Sequence, residues 1–551
     1  MVISKLADLR QRLREAPRRV RATTHVALTS GLLWELQAPG IREVIKVLGR
    51  AHQNPSAVYQ IHAGNSPNKP AVIWRDQTIS WFDLNRQIDL LAYGLVARGL
   101  RRNESVLSMM RNRPEHIVVQ SAVARASGAA VAVSWRSTPT ELAYLAQNCA
   151  ARFIVFEHDL WPVVEPAAKQ LGLDRERLIA VGGDVPGTTR LENAYGRPVT
   201  LAVDDEAAAV VTYTSGTTGK PKGAVRKFPR EMLVAALEFI AQTPMRSDDV
   251  HLVVCPLYHM TAYGFLTMSH LLGATAVILD DFKPETFLRG VEQHRATSTA
   301  LVPTMLHRLT ALPKEERDKF RSRSLRLIFC GGAALTGQLA VDAMNAFGDI
   351  VYNFYGATET GLVTLAKPAD LRDAPGTIGK PLPHNDIRLI GEDKTDVAPG
   401  AVGELYVKSA QLVVGYHEND AATKESMLAG YFSVGDLARV DAAGRYFIEG
   451  RKRDMVITGG VNVYPAEVEA TIEEHPFVFE AAVVGVEDPE WGERVKAFVV
   501  LEKGKALDEG ELKAWLRERL ATPKVPREYV FIDSLPRNPT GKVLKRELAN
   551  R

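Results

Sequence analysis

From about Pro67 onward, helical stretches alternate with short runs rich in β-branched residues. The runs are Ala130–Ser134, Phe153–Phe156, Ala208–Tyr213, His251–Cys255, Thr275–Leu279 and Leu327–Cys330. Strands separated by helices pair in parallel through crossover connections, so this pattern predicts a layered α/β region with mainly parallel sheet. Ala71–Trp74 and Thr78–Ser80 predict a hairpin around Arg75-Asp76-Gln77. Ser80 followed by Asp83 has the form of a cap opening a helix over Trp81–Arg98.

From about Asp373 the texture changes. Short segments recur at close spacing at Ile387–Ile390, Glu404–Lys408, Leu412–Tyr416, Leu437–Val440 and Arg445–Ile448, with turn signals such as Pro399-Gly400 and Ala443-Gly444 between them. These predict an antiparallel β subdomain. After Arg451 helices are expected at Pro465–Glu474 and Glu509–Leu520 beside strands at Val478–Val486 and Val495–Leu501, enough for a small α+β domain. The chain thus divides into an extension over 1–60, a large region over 61–450, a hinge at 451–454 and a small mobile C-terminal domain over 455–551. At ~150 residues per domain, 551 residues suit such a division.

The extension is basic. Ile3, Leu6, Leu9 and Leu13 recur at helical spacing among Lys5, Arg10, Arg12, Arg14, Arg18, Arg19 and Arg21, and a second apolar cluster follows at Leu32, Leu33 and Leu36. A basic amphipathic helix can lie on an anionic membrane. A helix packed on the body, a solvated extension or a cleaved transit peptide are the alternatives. Overall, 68 basic residues against 65 acidic leave a net charge of +3, which does not by itself imply a nucleic-acid partner. Cys149, Cys255 and Cys330 are far apart and form no CxxC pair, which argues against a disulfide framework or zinc site and suits a reducing cytosol. No run approaches the ~18 apolar residues of a membrane span.

Chemistry concentrates in four stretches. Tyr213-Thr214-Ser215-Gly216-Thr217-Thr218-Gly219-Lys220-Pro221-Lys222-Gly223 gathers hydroxyls, glycines and lysines after an apolar run. Glycines let successive N–H groups turn toward one anion, so polyphosphate binding is one reading and a surface turn the other. The glycine spacing departs from the standard P-loop. Tyr352–Thr360 places Tyr355 and Gly356 beside Ala357, Thr358 and Glu359. A ring can stack on a base and a carboxylate can hold Mg²⁺ beside phosphates; an ordinary strand and turn is equally compatible. Gly435-Asp436 could accept ribose hydroxyls or be a routine turn. Pro536–Lys542 could deliver a lysine on a constrained loop or be a solvated turn before a helix over Val543–Asn550.

Taken in order, these stretches resemble the adenylate-forming superfamily, which includes acyl-CoA synthetases, adenylation domains of peptide synthetases and luciferases. The resemblance runs from about Pro67 to the end. It covers the phosphate loop Tyr213–Gly223, the aromatic-Gly-x-Thr-Glu motif Tyr355–Glu359, the glycine turn Gly331-Gly332-Ala333-Ala334, the ribose aspartate Asp436, the pre-hinge Arg451 and the lysine Lys542.

The resemblance implies a fatty acyl-CoA synthetase that first forms an acyl-adenylate from ATP and then transfers the acyl group to coenzyme A. Thr214, Ser215, Gly216, Thr217, Thr218, Gly219 and Lys222 would hold the β,γ-phosphates. Glu359 would bind Mg²⁺, and Thr358 would touch the α-phosphate. Tyr355 and Gly356 would pack against adenine, read by the backbone at Gly332 and Ala333, and Asp436 and Arg451 would hold the ribose. Lys542 would bridge the acyl carboxylate and the α-phosphate. The hinge falls at Arg453, where the family usually has Asp or Lys, and Gly459-Gly460 would line the thiol tunnel. His259, in Pro256-Leu257-Tyr258-His259, would line the acyl pocket with Gly331 and Ala357; a hydrogen-bonded core histidine is the alternative. The neighbours Met260, Thr261, Ala262 and Tyr263 offer no carboxylate for a substrate amine, which argues against amino acids. Small residues at Gly331, Ala333, Gly356, Ala357 and Gly361, with apolar Val302, Met305 and Leu362, suit a tunnel for a medium- to long-chain fatty acid. Aryl or short-chain acids, and a separate carrier protein as acceptor, are the alternatives.

Overall fold

The structure is a computed structural model that describes residues 20–48, 54–201, 209–214, 222–227, 229–417, 419–458, 461–489, 491–537 and 543–550. Two large, mainly parallel sheets form its body. The first runs in the order Gly415–Tyr416, Lys222–Lys227, Ala209–Thr214, Ala129–Val133, Ser105–Met109, Ala151–Glu157, Leu178–Val181, Thr189–Arg190. The second runs Lys380–Pro381, Gly361–Ala366, Val351–Ala357, Leu327–Gly331, Ser298–Leu301, Val250–Val253, Thr275–Ile278, Pro70–Trp74, Gln77–Ser80. Helices fill the space between. Leu84, Ile88 and Leu91 of helix Trp81–Ala97, Ile117 of helix Glu115–Arg125 and Leu266 of helix Met260–Leu271 share one core with Val106 of the first sheet and Val72 of the second. The Ser80 side chain accepts from the Asp83 N–H, as the sequence predicts, and opens the first of these helices.

The β subdomain is a separate antiparallel sheet of Asn385–Ile390, Gly403–Ser409, Tyr431–Val440 and Met427–Leu428, with Tyr446–Arg451 on Tyr431–Val440. One expected strand goes elsewhere. Of Leu412–Tyr416, Gly415 and Tyr416 alone are strand, and they pair with Val225 and Ala224 in the first α/β sheet. That contact ties the β subdomain to the strand that leaves the phosphate loop.

The C-terminal region has its own core. Strands Val478–Asp488 and Gly492–Leu501 pair along their length, and Glu528–Phe531 adds a parallel strand. Helices Pro465–Glu473 and Glu509–Arg517 bury Val468, Ile472, Leu512 and Leu516 against them. The Phe479 ring meets His307 of the large region at 4.2 Å between centroids.

The extension beyond residue 19 packs on the body, at least in part. Val26 is buried with Phe239 and Phe265, the Ser247 N–H donates to the Ser30 carbonyl at 2.7 Å, and Lys69 pairs with Glu35 at 2.9 Å. The proposed helix at Ile3–Leu13 lies outside the described residues.

Candidate active site

The site residues sit at the carboxyl ends of parallel strands, where open α/β sheets leave a crevice. Gly331 closes strand Leu327–Gly331, Val302 follows Ser298–Leu301, His259 follows Val250–Val253, and Ala357 closes Val351–Ala357. Thr358 and Glu359 occupy the turn between Val351–Ala357 and its antiparallel neighbour Gly361–Ala366. Gly356 lies so close to the facing backbone that an added Cβ would stand 2.1 Å from the Gly361 carbonyl. A side chain there would open the hairpin that presents Thr358.

Ala209–Thr214 and Lys222–Lys227 form an antiparallel hairpin that pairs Thr214 with Lys222. The strands therefore bracket the predicted phosphate loop. Ser215, Gly216, Thr217, Thr218 and Gly219 lie outside the described residues, as do Lys542 and the pair Gly459-Gly460. Arg537 and Val543 bridge across the segment that carries Lys542, and Arg537 itself lines the cavity described below.

Tyr355, Asp436 and Arg451 converge. The Tyr355 hydroxyl donates to Asp436 Oδ2 at 2.6 Å, and Arg451 Nε lies 3.0 Å from Asp436 Oδ1. Asp436 and Arg451 are register partners on neighbouring strands, so sheet geometry sets the pair. Burial, then the Asp436 charge, raises the Tyr355 phenol well above its ordinary range and keeps it a donor. A carboxylate has about four acceptor sites, so Asp436 retains capacity for two sugar hydroxyls.

Glu359 is buried at 7% exposure and accepts from the Tyr416 hydroxyl at 3.0 Å. Next to it lies Arg226, a residue outside every motif read from the sequence. Arg226 is buried, and its guanidinium donates to the Gln411 and Thr358 carbonyls. Burial lowers its pKa to about 10 while Glu359 counteracts the shift, so it stays charged at neutral pH. Mg²⁺ is commonly held by one or two carboxylates plus substrate phosphates, and the chemistry of Glu359 beside Thr358 fits that use. No group of three or more His, Cys, Asp or Glu that could cage a metal occurs among the described residues.

One cavity of about 1060 Å³ reaches this site. His259, Val302, Met305, Gly356, Ala357, Gly361 and Leu362 line it, seven of the residues expected around the acid, and so does Gly332, expected at the adenine. Gly331 does not line it. An added Cβ there would meet the Phe354 carbonyl at 2.5 Å, so that glycine serves strand packing. Ala333 is exposed. At Gly332, φ is +81°, a conformation that favours glycine, and a Cβ would lie 3.4 Å from Thr261 Oγ1. Helix Met260–Leu271 turns Met260, Gly264, Thr267 and Leu271 to the cavity, the i, i+4, i+7, i+11 stripe of one face, while Ala262, Leu266 and Ser269 are buried opposite. Gly264 sits mid-helix with nothing within 4 Å of an added Cβ. Glycine there weakens the helix by about 1 kcal/mol relative to alanine, and what it leaves is space in the cavity.

Arg453 is exposed in the turn Lys452–Asp454 after Arg451 and pairs with Asp454 at 3.3 Å. Cys149, Cys255 and Cys330 are buried free thiols; burial pushes Cys149 and Cys255 up to about 12. They are too far from thiolate character to serve as nucleophiles.

Residues 59–417 match the family model of the AMP-binding enzyme, and residues 467–542 match that of the AMP-binding enzyme C-terminal domain. The chain belongs to the AMP-binding enzyme family. It is an adenylate-forming ligase, and the CoA ligases of this superfamily use ATP, Mg²⁺ and CoA. A feruloyl-CoA synthase from Amycolatopsis sp is 34% identical over 88% of this chain and 96% of its own length. An indoleacetate–CoA ligase from Aromatoleum aromaticum is 33% identical over 88% and 95%. A fatty acid–acyl-carrier-protein ligase from Streptomyces coeruleorubidus is 31% identical over 89% and 95%. Among solved structures, ATP-bound MatB from Rhodopseudomonas palustris superposes with a TM-score of 0.81 at 30% identity, covering 90% of this chain and 98% of its own.

Proposed function

We propose that this ligase activates a large hydrophobic carboxylic acid, a medium- to long-chain fatty acid or one of comparable bulk, and passes it to CoA. The observation that carries this reading is the cavity of about 1060 Å³, apolar over most of its wall and open at Gly264. It stands at the large end of the ~300–1,000 Å³ usual for small-molecule sites. Each buried CH₂ contributes about 0.8 kcal/mol, so such a wall rewards size.

In the first step the acid's carboxylate oxygen bonds to the α-phosphorus of ATP, and the bond to pyrophosphate breaks. Asp436 and Arg451 fix the ribose, Tyr355 holds Asp436 in place, and Thr358 is presented to the α-phosphate by the hairpin that Arg226 braces. Glu359 would hold Mg²⁺, which would neutralise charge on the phosphates. Lys542 is assigned, on the motif match, to the charge that builds between carboxylate and α-phosphate. In the second step the CoA sulfur bonds to the acyl carbon and AMP leaves.

An aryl acid is the second reading, favoured by the feruloyl and indoleacetate substrates named for two relatives. A carrier-protein acceptor is favoured by the name of a third. The test is an assay with ATP and Mg²⁺ over acids from acetate to oleate plus cinnamate and indoleacetate. Pyrophosphate and acyl-CoA are read separately, with and without CoA. Highest kcat/KM for a chain of eight or more carbons is the result expected; an aryl acid ahead of every alkanoate would replace the main reading with the second.

The extension is proposed to rest on an anionic membrane surface. Val20, Leu28, Leu33, Trp34, Ile41 and Ile45 are all exposed within one short stretch, Trp34 at 89%. Arg42 and Lys46 flank the two isoleucines, and the segment before Val20 is basic. Exposed apolar and aromatic side chains beside cations suit the headgroup boundary. No helix among the described residues is long and apolar enough to cross a membrane.

A further inference from the structure

Helix Glu115–Arg125 is buried on every side from His116 onward. Most of its middle is Ile, Val and Ala, as such a position demands, but Gln120 and Ser121 interrupt it. Both are buried, at 5% and 4% exposure, and both line the cavity. The Gln120 side-chain nitrogen has no hydrogen-bond partner among the described residues. Burying an amide unpaired is costly, and a leucine of similar size would avoid that cost. The pattern therefore points to a ligand group that completes the pair.

Two tyrosines share the corner. Tyr59 and Tyr263 line the same cavity, and each hydroxyl lies against the Ser121 side chain. Burial raises both phenols, Tyr59 to about 12, so both remain neutral donors. The nearest cation is already engaged. Arg125 pairs with Asp89 at 2.7 Å and donates to Asn85 Oδ1, Ser56 Oγ and the Ser56 carbonyl. A second carboxylate on the acid would find no counter-charge here, whereas a hydroxyl or ketone would find an amide and three hydroxyls.

The corner and the reacting end fall on opposite flanks of one helix. On helix Met260–Leu271, Thr261 flanks the cavity face beside Gly332, and Tyr263 lies about 200° further round on the other flank. An acid activated near Gly332, Ala357 and Thr358 crosses that apolar face before it meets Tyr263.

Resting on the ligase reading above, we propose that Gln120, Ser121, Tyr59 and Tyr263 form a subsite for a neutral oxygen function, a hydroxyl or ketone, on the hydrophobic acid at the end away from its carboxylate. The substrate class is then an oxygenated hydrophobic acid rather than a plain hydrocarbon one.

The test is calorimetric binding to the full chain with α,β-methylene-ATP present. The probes are two matched pairs, dodecanoate with 12-hydroxydodecanoate and cinnamate with 4-hydroxycinnamate. In at least one pair the hydroxylated acid should bind about tenfold more tightly. In Gln120→Leu that ratio should fall to about twofold or less, with the unsubstituted acid bound as well as before. Ser121→Ala should lower the ratio in the same direction and guards against a misfolded first variant. No preference in either pair, or a preference unchanged in both variants, overturns the subsite and leaves a corner that holds water. Pyrophosphate release from the same acids with ATP is scored separately. Its absence with every acid would count against the ligase reading, while the binding ratio alone decides the subsite.

Discussion

The Tyr355 hydroxyl donates a 2.6 Å hydrogen bond to the carboxylate of Asp436, across 81 residues of sequence. It joins the residue expected at the adenine to the residue expected at the ribose. Phenylalanine at 355 keeps the ring and removes the bond. A hydrogen bond to a charged group is worth about 1.5–3 kcal/mol. Tyr355→Phe should therefore raise KM for ATP by about tenfold or more with a smaller change in kcat, because the loss falls on positioning the nucleotide. Steady-state kinetics with ATP varied would show it, and an unchanged KM would mean that Arg451 alone holds Asp436.

Arg226 should behave as a brace. Alanine there strips donors from the buried Gln411 carbonyl and the half-buried Thr358 carbonyl and removes the cation beside Glu359. Leaving buried acceptors unpaired costs about 1–3 kcal/mol each. Arg226→Ala should thus lower thermal stability and depress pyrophosphate release together. Arg226→Lys keeps the charge but lacks the planar fork that reaches two carbonyls at once, so recovery of stability should be partial. Full activity in a folded Arg226→Ala protein would remove it from the site.

Much of this was legible because it is local. The Ser80–Asp83 cap, the hairpin at Arg75-Asp76-Gln77 and the helices of the C-terminal domain follow from short-range patterns, and the structure places them within a few residues of expectation. What was hidden is non-local. Leu412–Tyr416 carries a strand-like pattern, but pattern does not name the partner, and Gly415-Tyr416 joins a sheet almost two hundred residues upstream. Arg226 reads as another surface cation until the fold closes over it. Gln120 and Ser121 carry no motif; their signal is polarity inside an all-buried helix, visible once burial is known.

Acid and base should act on different regions. Burial holds His62, His116 and His251 down to about 4 and His270 to about 3. An unfolded histidine titrates near 6.5, so between about pH 6.5 and 4 the unfolded chain binds protons that the folded chain does not. Their contribution is complete above that window and is lost as pH falls through it. Glu473, buried in the C-terminal domain beside Glu469 and Glu480, is the opposite case, raised to about 8 chiefly by burial. The folded form keeps a proton that the unfolded form releases, so stability falls as pH rises from about 4.5 to 8. Glu473→Gln should raise the urea midpoint of the C-terminal transition at pH 8 and leave it nearly unchanged at pH 4.5. Coincident curves at pH 8 would show that Glu473 is not held protonated.

Membrane association should depend on the exposed side chains of the extension. Wild-type protein should co-sediment with vesicles containing anionic lipid, and Trp34→Ser with Ile41→Ser should reduce the bound fraction several-fold. Raising salt should weaken binding through screening of the basic segment. Activity on a water-soluble acid should be unaffected, since neither residue lines the cavity. Equal sedimentation of the double variant would assign those side chains to another role.

The two half-reactions should separate at Lys542. A fixed cation is needed where charge gathers between the carboxylate and the α-phosphate, and losing such a donor typically costs about 2.7–4 kcal/mol, or ~10²–10³ in rate. In the thiol step the acyl group is already activated, and AMP leaves without a new bond at phosphorus. Lys542→Ala should therefore slow pyrophosphate release by that factor, yet convert supplied acyl-adenylate to acyl-CoA within a few-fold of the parent rate. Single-turnover measurements on chemically prepared acyl-adenylate isolate the second step. Equal losses in both steps would move Lys542 from the adenylation chemistry to a structural part in closing the C-terminal domain.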